Sequence, residues 1–262
     1  MSVVALVPAA GRGVRLGAGM PKALVPVNGE SLLLRAVRGL LAAGCVQHVV
    51  VAAPADQVDV VAAELAELPS AHVVVGGAER TDSVRRALDA VEQVAPDARV
   101  VLVHDAARAF TPASVIREVV AAVEQGAPAV IPVLPVTDTI KRVDDAGNVV
   151  STVDRSRLRA VQTPQGFAID VLRDAYAAAG DVATDDAGLV ERIGGNVHTV
   201  DGHPRALKIT TAFDLAVAES VLAPPGGASV PRDAGGGASD TCGPRSRGRP
   251  GAGVPQDTGE TE

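Results

Sequence analysis

Small residues and cations are interleaved in residues 8–22, Pro-Ala-Ala-Gly-Arg-Gly-Val-Arg-Leu-Gly-Ala-Gly-Met-Pro-Lys, directly after the apolar run Val3–Val7. Small side chains let backbone N–H groups approach phosphate oxygens closely, and Arg12, Arg15 and Lys22 would neutralise the charge. The segment therefore suits a phosphorylated ligand. It is not a P-loop, because no Lys-Ser/Thr pair follows its glycines. Nor is it a dinucleotide fingerprint: the glycines fall at 11, 13 and 17, and Gly19 and Pro21 would break a helix begun there. Read alone, it is also compatible with a surface loop whose arginines are incidental, since lone glycine motifs recur by chance.

The elements needed to position such a loop are legible as an alternation. Val-rich runs at Val3–Val7, Val46–Ala52, His72–Val75, Arg99–His104, Ala129–Pro135 and Asn196–Val200 read as strands. Between them Ser31–Ala43, Asp56–Leu68, Thr81–Val94, Thr111–Gln125 and Asp185–Ile193 read as helices. Gly44 and Gly126 stand where helices should stop, Thr111-Pro112 reads as an N-cap followed by a first-turn proline, and Thr211-Ala-Phe-Asp214 reads as a capping box. Near-continuous apolar strands separated by amphipathic helices predict an α/β fold, a mostly parallel sheet with helices on both faces. Such sheets bind ligands beyond the carboxyl ends of their strands. The loop after Val7, the pair Gly76-Gly77 and the stretch His104–Arg108 should then face one cleft.

Two segments break this rhythm. Residues 136–156 read as a protruding β-hairpin arm turning at Asp145–Asn148, too polar for a core. A lone two-stranded ribbon is marginal in water, so the arm is expected either to lean on a second subunit or to be a plain surface excursion. Residues 223–262 shift abruptly to Pro, Gly, Ser, Asp and Arg and read as a disordered tail, leaving 1–222 as one domain.

Composition narrows the function. Apolar residues make up 47% of the 262, enough for a large core, built from Val, Leu, Ile and Ala because there are three Phe, one Tyr and no Trp. A formal charge of −7 disfavours a nucleic-acid partner but leaves an anionic substrate possible, since local placement of cations outweighs the total. Cys45 and Cys242 form no metal or redox motif, and Cys45 is expected to be a small buried hydrophobe. The first apolar run is too short for a signal sequence and no run is long enough for a membrane span. A cytoplasmic protein is expected.

Taken in order, the motifs resemble those of the 2-C-methyl-D-erythritol 4-phosphate cytidylyltransferase family of the non-mevalonate isoprenoid pathway. They are Pro8-Ala-Ala-Gly-x-Gly-x-Arg15, Pro21-Lys22, Gly76-Gly77-x-x-Arg80-x-Asp82-Ser83 and His104-Asp-Ala-Ala-Arg108, then Asp138-Thr139-Ile-Lys141, Val153-Asp-Arg155, Gln162-Thr-Pro-Gln165, Thr184-Asp-Asp186 and Lys208-Ile-Thr210. The resemblance spans residues 3–221 and implies a Rossmann-like nucleotidyltransferase fold. It also implies transfer of CMP from CTP to methylerythritol phosphate, with Mg²⁺, by a homodimer joined through the arm.

Site residues follow from the resemblance. Arg15 and Lys22 match the family's transition-state stabilisers at the α-phosphate. Ala9, Ala10, Gly11 and Gly13 would present backbone N–H groups to the triphosphate. Gly77 and Ser83 match positions that contact the cytidine nucleotide, although Ser83 could instead help cap its helix. Asp105 matches the acidic residue near Mg²⁺ and the acceptor's hydroxyls. His104 is expected to pack or orient rather than act as a base, because a phosphate nucleophile arrives deprotonated. Arg155 and Lys208 would hold the acceptor's phosphate, with Arg108, Thr139, Thr163 and Thr184 around its polyol, Thr139 and Arg155 serving the neighbouring subunit. Ala109 stands where proline is common in the family, and Ala78 where some members carry an acidic residue. A ribitol 5-phosphate cytidylyltransferase shares this loop chemistry. A catalytically dead nucleotide-binding module on the same fold would be expected to lack Arg15, Lys22 or Arg155. The longer loops of nucleotide-sugar pyrophosphorylases and molybdopterin nucleotidyltransferases are missing.

Overall fold

The computed structural model describes residues 2–11, 21–178 and 185–222; the expectations placed on Arg12, Gly13, Arg15, Thr184 and the tail lie outside them. The chain begins with β1 (Ser2–Pro8), a tiny hairpin of β2 (Pro26–Val27) and β3 (Glu30–Ser31), and α1 (Leu32–Ala42). Then come β4 (His48–Ala53), α2 (Val58–Glu64), β5 (Ala71–Val75), α3 (Arg80–Val94), β6 (Ala98–Val103), α4 (Ala113–Glu124) and β7 (Ala129–Pro135). The arm is β8 (Ile140–Val143) and β9 (Val149–Val153). The rest is β10 (Arg159–Val161), β11 (Gln165–Ala168), α5 (Ile169–Ala178), α6 (Asp186–Arg192), β12 (Val197–Asp201) and α7 (Ala212–Leu222).

An eight-stranded sheet organises the fold, and its central path runs β5-β4-β1-β6-β11-β7. β5, β4, β1 and β6 are parallel neighbours, and β12 runs parallel to β7. Between β6 and β7 lies β11, antiparallel to both, with Gln165–Ala168 against Val100–Val103. This strand was not legible in the alternation. β10 continues along β7 in the same antiparallel sense.

Period-two alternation divides the core in two. Val3, Ala5 and Val7 of β1, with Val49 and Val51 of β4, are buried under α1, α2 and α4. Val4 and Leu6, with Val50 and Ala52, are buried under α3, α5 and α6. Both faces are covered, as a parallel sheet requires. A smaller cluster under α7 gathers Val25, Val27, Leu32, Phe110, Ile209 and Ala218. Cys45 is only half-buried against the first core, and burial pushes its thiol up.

The expected caps hold with one exception. Gly44 and Gly126, at φ 78° and 103°, follow the ends of α1 and α4 in the left-handed region that favours glycine. Thr211 N–H donates to Asp214 at 2.8 Å while Asp214 N–H donates to the Thr211 hydroxyl at 3.2 Å, closing the capping box of α7. Thr111 is not the N-cap of α4. Pro112 takes that place, and the Thr111 hydroxyl donates to the Arg108 carbonyl at 2.9 Å, closing the preceding turn.

Among the described residues, β8 and β9 pair only with each other. Val143, Val149 and Val150 on them are 55–61% exposed. Asp144 forms the turn, its carboxylate accepting from the N–H groups of Ala146 and Asn148.

Candidate active site

A cleft of about 310 Å³ opens beyond the carboxyl ends of β1, β5 and β6. Ala9, Ala10 and Gly11 line it from the first loop, Gly77 from the loop into α3, Arg80 and Ser83 from the first turn of α3, and Asp105 from the loop after β6. Lys22 and Lys208 complete the wall. The three loops grouped from sequence thus meet in one hollow.

Each wall is held by a specific local device. Gly76 N–H donates to Ala53 carbonyl at 2.7 Å, and Gly77 N–H to the Ser83 hydroxyl at 3.1 Å, while that hydroxyl donates to Glu79 carbonyl at 3.0 Å. Ser83 therefore staples the loop to the first turn of α3. A side chain at Gly77 would sit 2.1 Å from the Asp82 Cβ, so the turn closes only on glycine. The N-terminus of α3, with its partial positive charge, faces the cleft. Ala9 is placed differently from its expected role: its N–H donates to Ala52 carbonyl at 2.8 Å, extending the sheet. That leaves Ala10 and Gly11 as the described positions on this loop for backbone donation to phosphate.

Asp105 is the electrostatic centre. Its carboxylate lies 2.8 Å from Lys208 Nζ, 3.5 Å from Arg80 Nε and 4.0 Å from Arg108 Nε. Burial opposes its ionisation, but Arg80, Lys208 and Arg108 together outweigh burial and hold the carboxyl down at about 2. Lys208 is brought there because Ile209 N–H donates to Ala107 carbonyl at 2.9 Å and the capping box of α7 follows immediately. Arg108 is itself fixed, donating to Ala206 carbonyl at 2.7 Å and Val161 carbonyl at 3.2 Å, with its buried Nε lacking a hydrogen-bond partner among the described residues.

His104 packs and orients, as expected. It is 1% exposed, and burial lowers its imidazole to about 4, so it is neutral near pH 7. Thr163 lies behind the cleft wall rather than facing a polyol. Its hydroxyl accepts from Asp105 N–H at 3.0 Å and lies 3.1 Å from His104 Nδ1, so it positions the Asp105 loop. Thr139 and Arg155 do not line the cleft of their own chain: Thr139 is exposed on the arm, and Arg155 donates to the Thr137 carbonyl at the arm's base.

Arg80 was legible only as a motif residue without a role. The structure makes it a bridge between Asp105 and the fully buried Asp186, whose carboxylate accepts from Arg80 Nη2 at 2.7 Å. Arg80 and Asp186, as motif residues, were the available signal; their pairing across 106 positions was not readable.

The chain is similar to known proteins over most of its length. Residues 3–224 match the family model for IspD, 2-C-methyl-D-erythritol 4-phosphate cytidylyltransferase. The 2-C-methyl-D-erythritol 4-phosphate cytidylyltransferase of Saccharopolyspora erythraea is 80% identical, the match covering 85% of this chain and 100% of that protein. That of Nocardia farcinica is 60% identical, over 84% and 94%. Among solved structures, the Thermus thermophilus enzyme of the same name is 37% identical with a TM-score of 0.68, covering 84% of this chain and 98% of its own. The 4-diphosphocytidyl-2C-methyl-D-erythritol synthase of Anaerococcus prevotii gives 26% identity and a TM-score of 0.73, over 84% and 98%.

Proposed function

Since the chain belongs to the 2-C-methyl-D-erythritol 4-phosphate cytidylyltransferase family, we propose that its cleft works by gathering cations from distant segments around two phosphorylated reactants. The protein is a nucleotidyltransferase that transfers CMP from CTP to methylerythritol phosphate in isoprenoid precursor biosynthesis. In that transfer the acceptor's phosphate oxygen attacks the α-phosphorus of CTP in line, and pyrophosphate leaves. The chemistry requires positioning and charge neutralisation rather than a covalent helper.

The observation that carries the reading is Asp105 with Lys208, Arg80 and Arg108 around it, in the same cleft as Lys22 and the small-residue loop. Ala10, Gly11 and Gly13 offer backbone N–H groups to the triphosphate, and Arg15 and Lys22 neutralise the α-phosphate as it becomes five-coordinate. Gly77 and Ser83 shape the nucleotide pocket. Asp105 holds Lys208 where the acceptor's phosphate must lie, with Arg108 and Thr184 toward its polyol.

Magnesium fits this donor set in one way. The described residues hold no group of three His, Cys, Asp or Glu side chains arranged for a metal. Mg²⁺ commonly keeps several waters and binds through one or two carboxylates plus substrate phosphates. Asp105 can serve as such a carboxylate for an ion that arrives on CTP. Bound there, the ion would draw charge from the phosphates and ease departure of pyrophosphate.

Arg155 and Thr139 act in this scheme from the arm of a second subunit, making the enzyme a homodimer with shared sites. A cytoplasmic setting, in which its cysteines stay reduced, belongs to the same reading.

Pyrophosphate release from CTP and Mg²⁺ is expected with methylerythritol phosphate, with little turnover of ribitol 5-phosphate and poor use of ATP or GTP. Efficient turnover of ribitol 5-phosphate alone would overturn the acceptor assignment.

A further inference from the structure

Asp186 is a fully buried carboxyl paired with a guanidinium. It opens α6 and is fully buried, yet buried ion pairs can often be replaced by packed apolar groups without loss. Its two oxygens are both committed. Oδ1 accepts from the Tyr176 hydroxyl at 2.6 Å and Oδ2 from Arg80 Nη2 at 2.7 Å. Tyr176 is itself buried on α5, with the Arg85 guanidinium 5.8 Å from its ring centroid. Burial, together with the adjacent Asp186, pushes the Tyr176 phenol up, so it remains a donor. Burial opposes the charge on Arg80, but Asp186, Asp105 and Tyr176 together outweigh it and raise the guanidinium.

The same guanidinium also lines the cleft. Arg80 Nε faces Asp105 Oδ1 at 3.5 Å, while Lys208 holds Asp105 Oδ2 at 2.8 Å. Asp105 is thereby contacted on both oxygens, and a chain of contacts runs to it from Tyr176 through Asp186 and Arg80. The same chain ties the first turn of α3, which carries the nucleotide loop, to the first turn of α6, which follows Thr184. A guanidinium can bridge two carboxylates in this way because its donors form a rigid fork; an ammonium is a point charge.

We infer that Asp186 and Tyr176 are positioning residues of the transfer reaction, fixing the Arg80 guanidinium against Asp105 so that the carboxylate meets the incoming reactants in one orientation. This rests on reading the cleft as the cytidylyltransferase site. Steady-state kinetics of purified Asp186→Asn, Tyr176→Phe, Arg80→Gln and Arg80→Lys proteins test it, beside wild type and with folding checked by circular dichroism. Outer partners of a reacting group typically change activity by about 10–100-fold, so Asp186→Asn should lower kcat by at least about tenfold. Tyr176→Phe, which removes one oxygen from a buried ring, should lower kcat by roughly threefold or more at an unchanged fold. Arg80→Lys should behave like Arg80→Gln. In the Arg80→Gln background Asp186→Asn should add less than about twofold, because it acts through Arg80. A merely structural role would lower the melting temperature and leave kcat per folded site intact. Normal kcat in folded Tyr176→Phe, or an undiminished Asp186→Asn effect without Arg80, overturns the inference. Absence of wild-type turnover with CTP and methylerythritol phosphate overturns the functional reading instead.

Discussion

Asp105 is kept charged by its neighbours, and the residue before it is kept neutral by its surroundings. His104 is buried, and burial lowers its imidazole to about 4 against an ordinary value of 6.5. The unfolded chain binds that proton more readily, so stability is complete above about pH 6.5 and is lost as pH falls toward about 4. Between pH 7 and pH 5 the loss should be roughly 2 kcal/mol. His72, lowered in the same direction by burial and by His48, adds to the slope. Asp105 titrates below this window, at about 2. Urea midpoints should therefore fall between pH 7 and pH 5, and His104→Gln should remove most of that fall. An unchanged slope in the variant would mean that His104 titrates as an exposed imidazole does. At this scale the sequence revealed residue types but not the direction of each polar group. Lys22 and Asp105 were readable as cleft residues because they sit in loops after strands, whereas Lys208 was named only through the family resemblance. The Ala9 N–H taken by Ala52, and the Thr163 hydroxyl turned toward His104, depend on partners 43 to 59 positions away.

The nucleotide wall depends on how the chain leaves β5 and enters α3. Gly76 lies against Ala10 and Ser83, and Gly77 against Asp82, with no room for a Cβ at either. Gly77→Ala must push the turn off the first residues of α3, an overpacking that costs about 1–3 kcal/mol. Its melting temperature should drop, and its KM for CTP should rise far more than its KM for the acceptor. Equal changes in both constants would show that this turn does not belong to the nucleotide. The parallel half of the sheet was legible because β1, β4 and β6 are continuous apolar runs flanked by amphipathic helices. β11 was not, since Gln165-Gly-Phe-Ala168 is short, shows no alternation and pairs antiparallel where a parallel neighbour was expected. α5 carried a usable signal that was missed: Ile169, Leu172, Ala175 and Tyr176 are buried at helical spacing. The misplaced cap at Thr111 has a local cause, because its hydroxyl is satisfied by the preceding turn.

Viewed as a whole molecule, the residues of the proposed site fall into two groups that a single copy does not bring together. The cleft gathers Lys22, Asp105 and Lys208, while Thr139 and Arg155 stand outside it, on the arm and at its base. Among the described residues, the arm's strands pair only with each other and display Val143, Val149 and Val150 to solvent. A ribbon of this kind is marginal alone, and its apolar side chains are better covered in an assembly. If the arm completes a partner's cleft, Lys22→Ala and Arg155→Ala damage different halves of each site. Each variant alone should be nearly inactive while remaining folded and dimeric. After subunit exchange in an equal mixture, half the dimers are mixed, and each mixed dimer has one cleft with both defects and one with neither. Activity should then recover to about a quarter of wild type, as two-fold symmetry dictates. If every site were built from one chain, mixing would restore nothing, and mass spectrometry of the exchanged dimers separates that outcome from a failure to exchange.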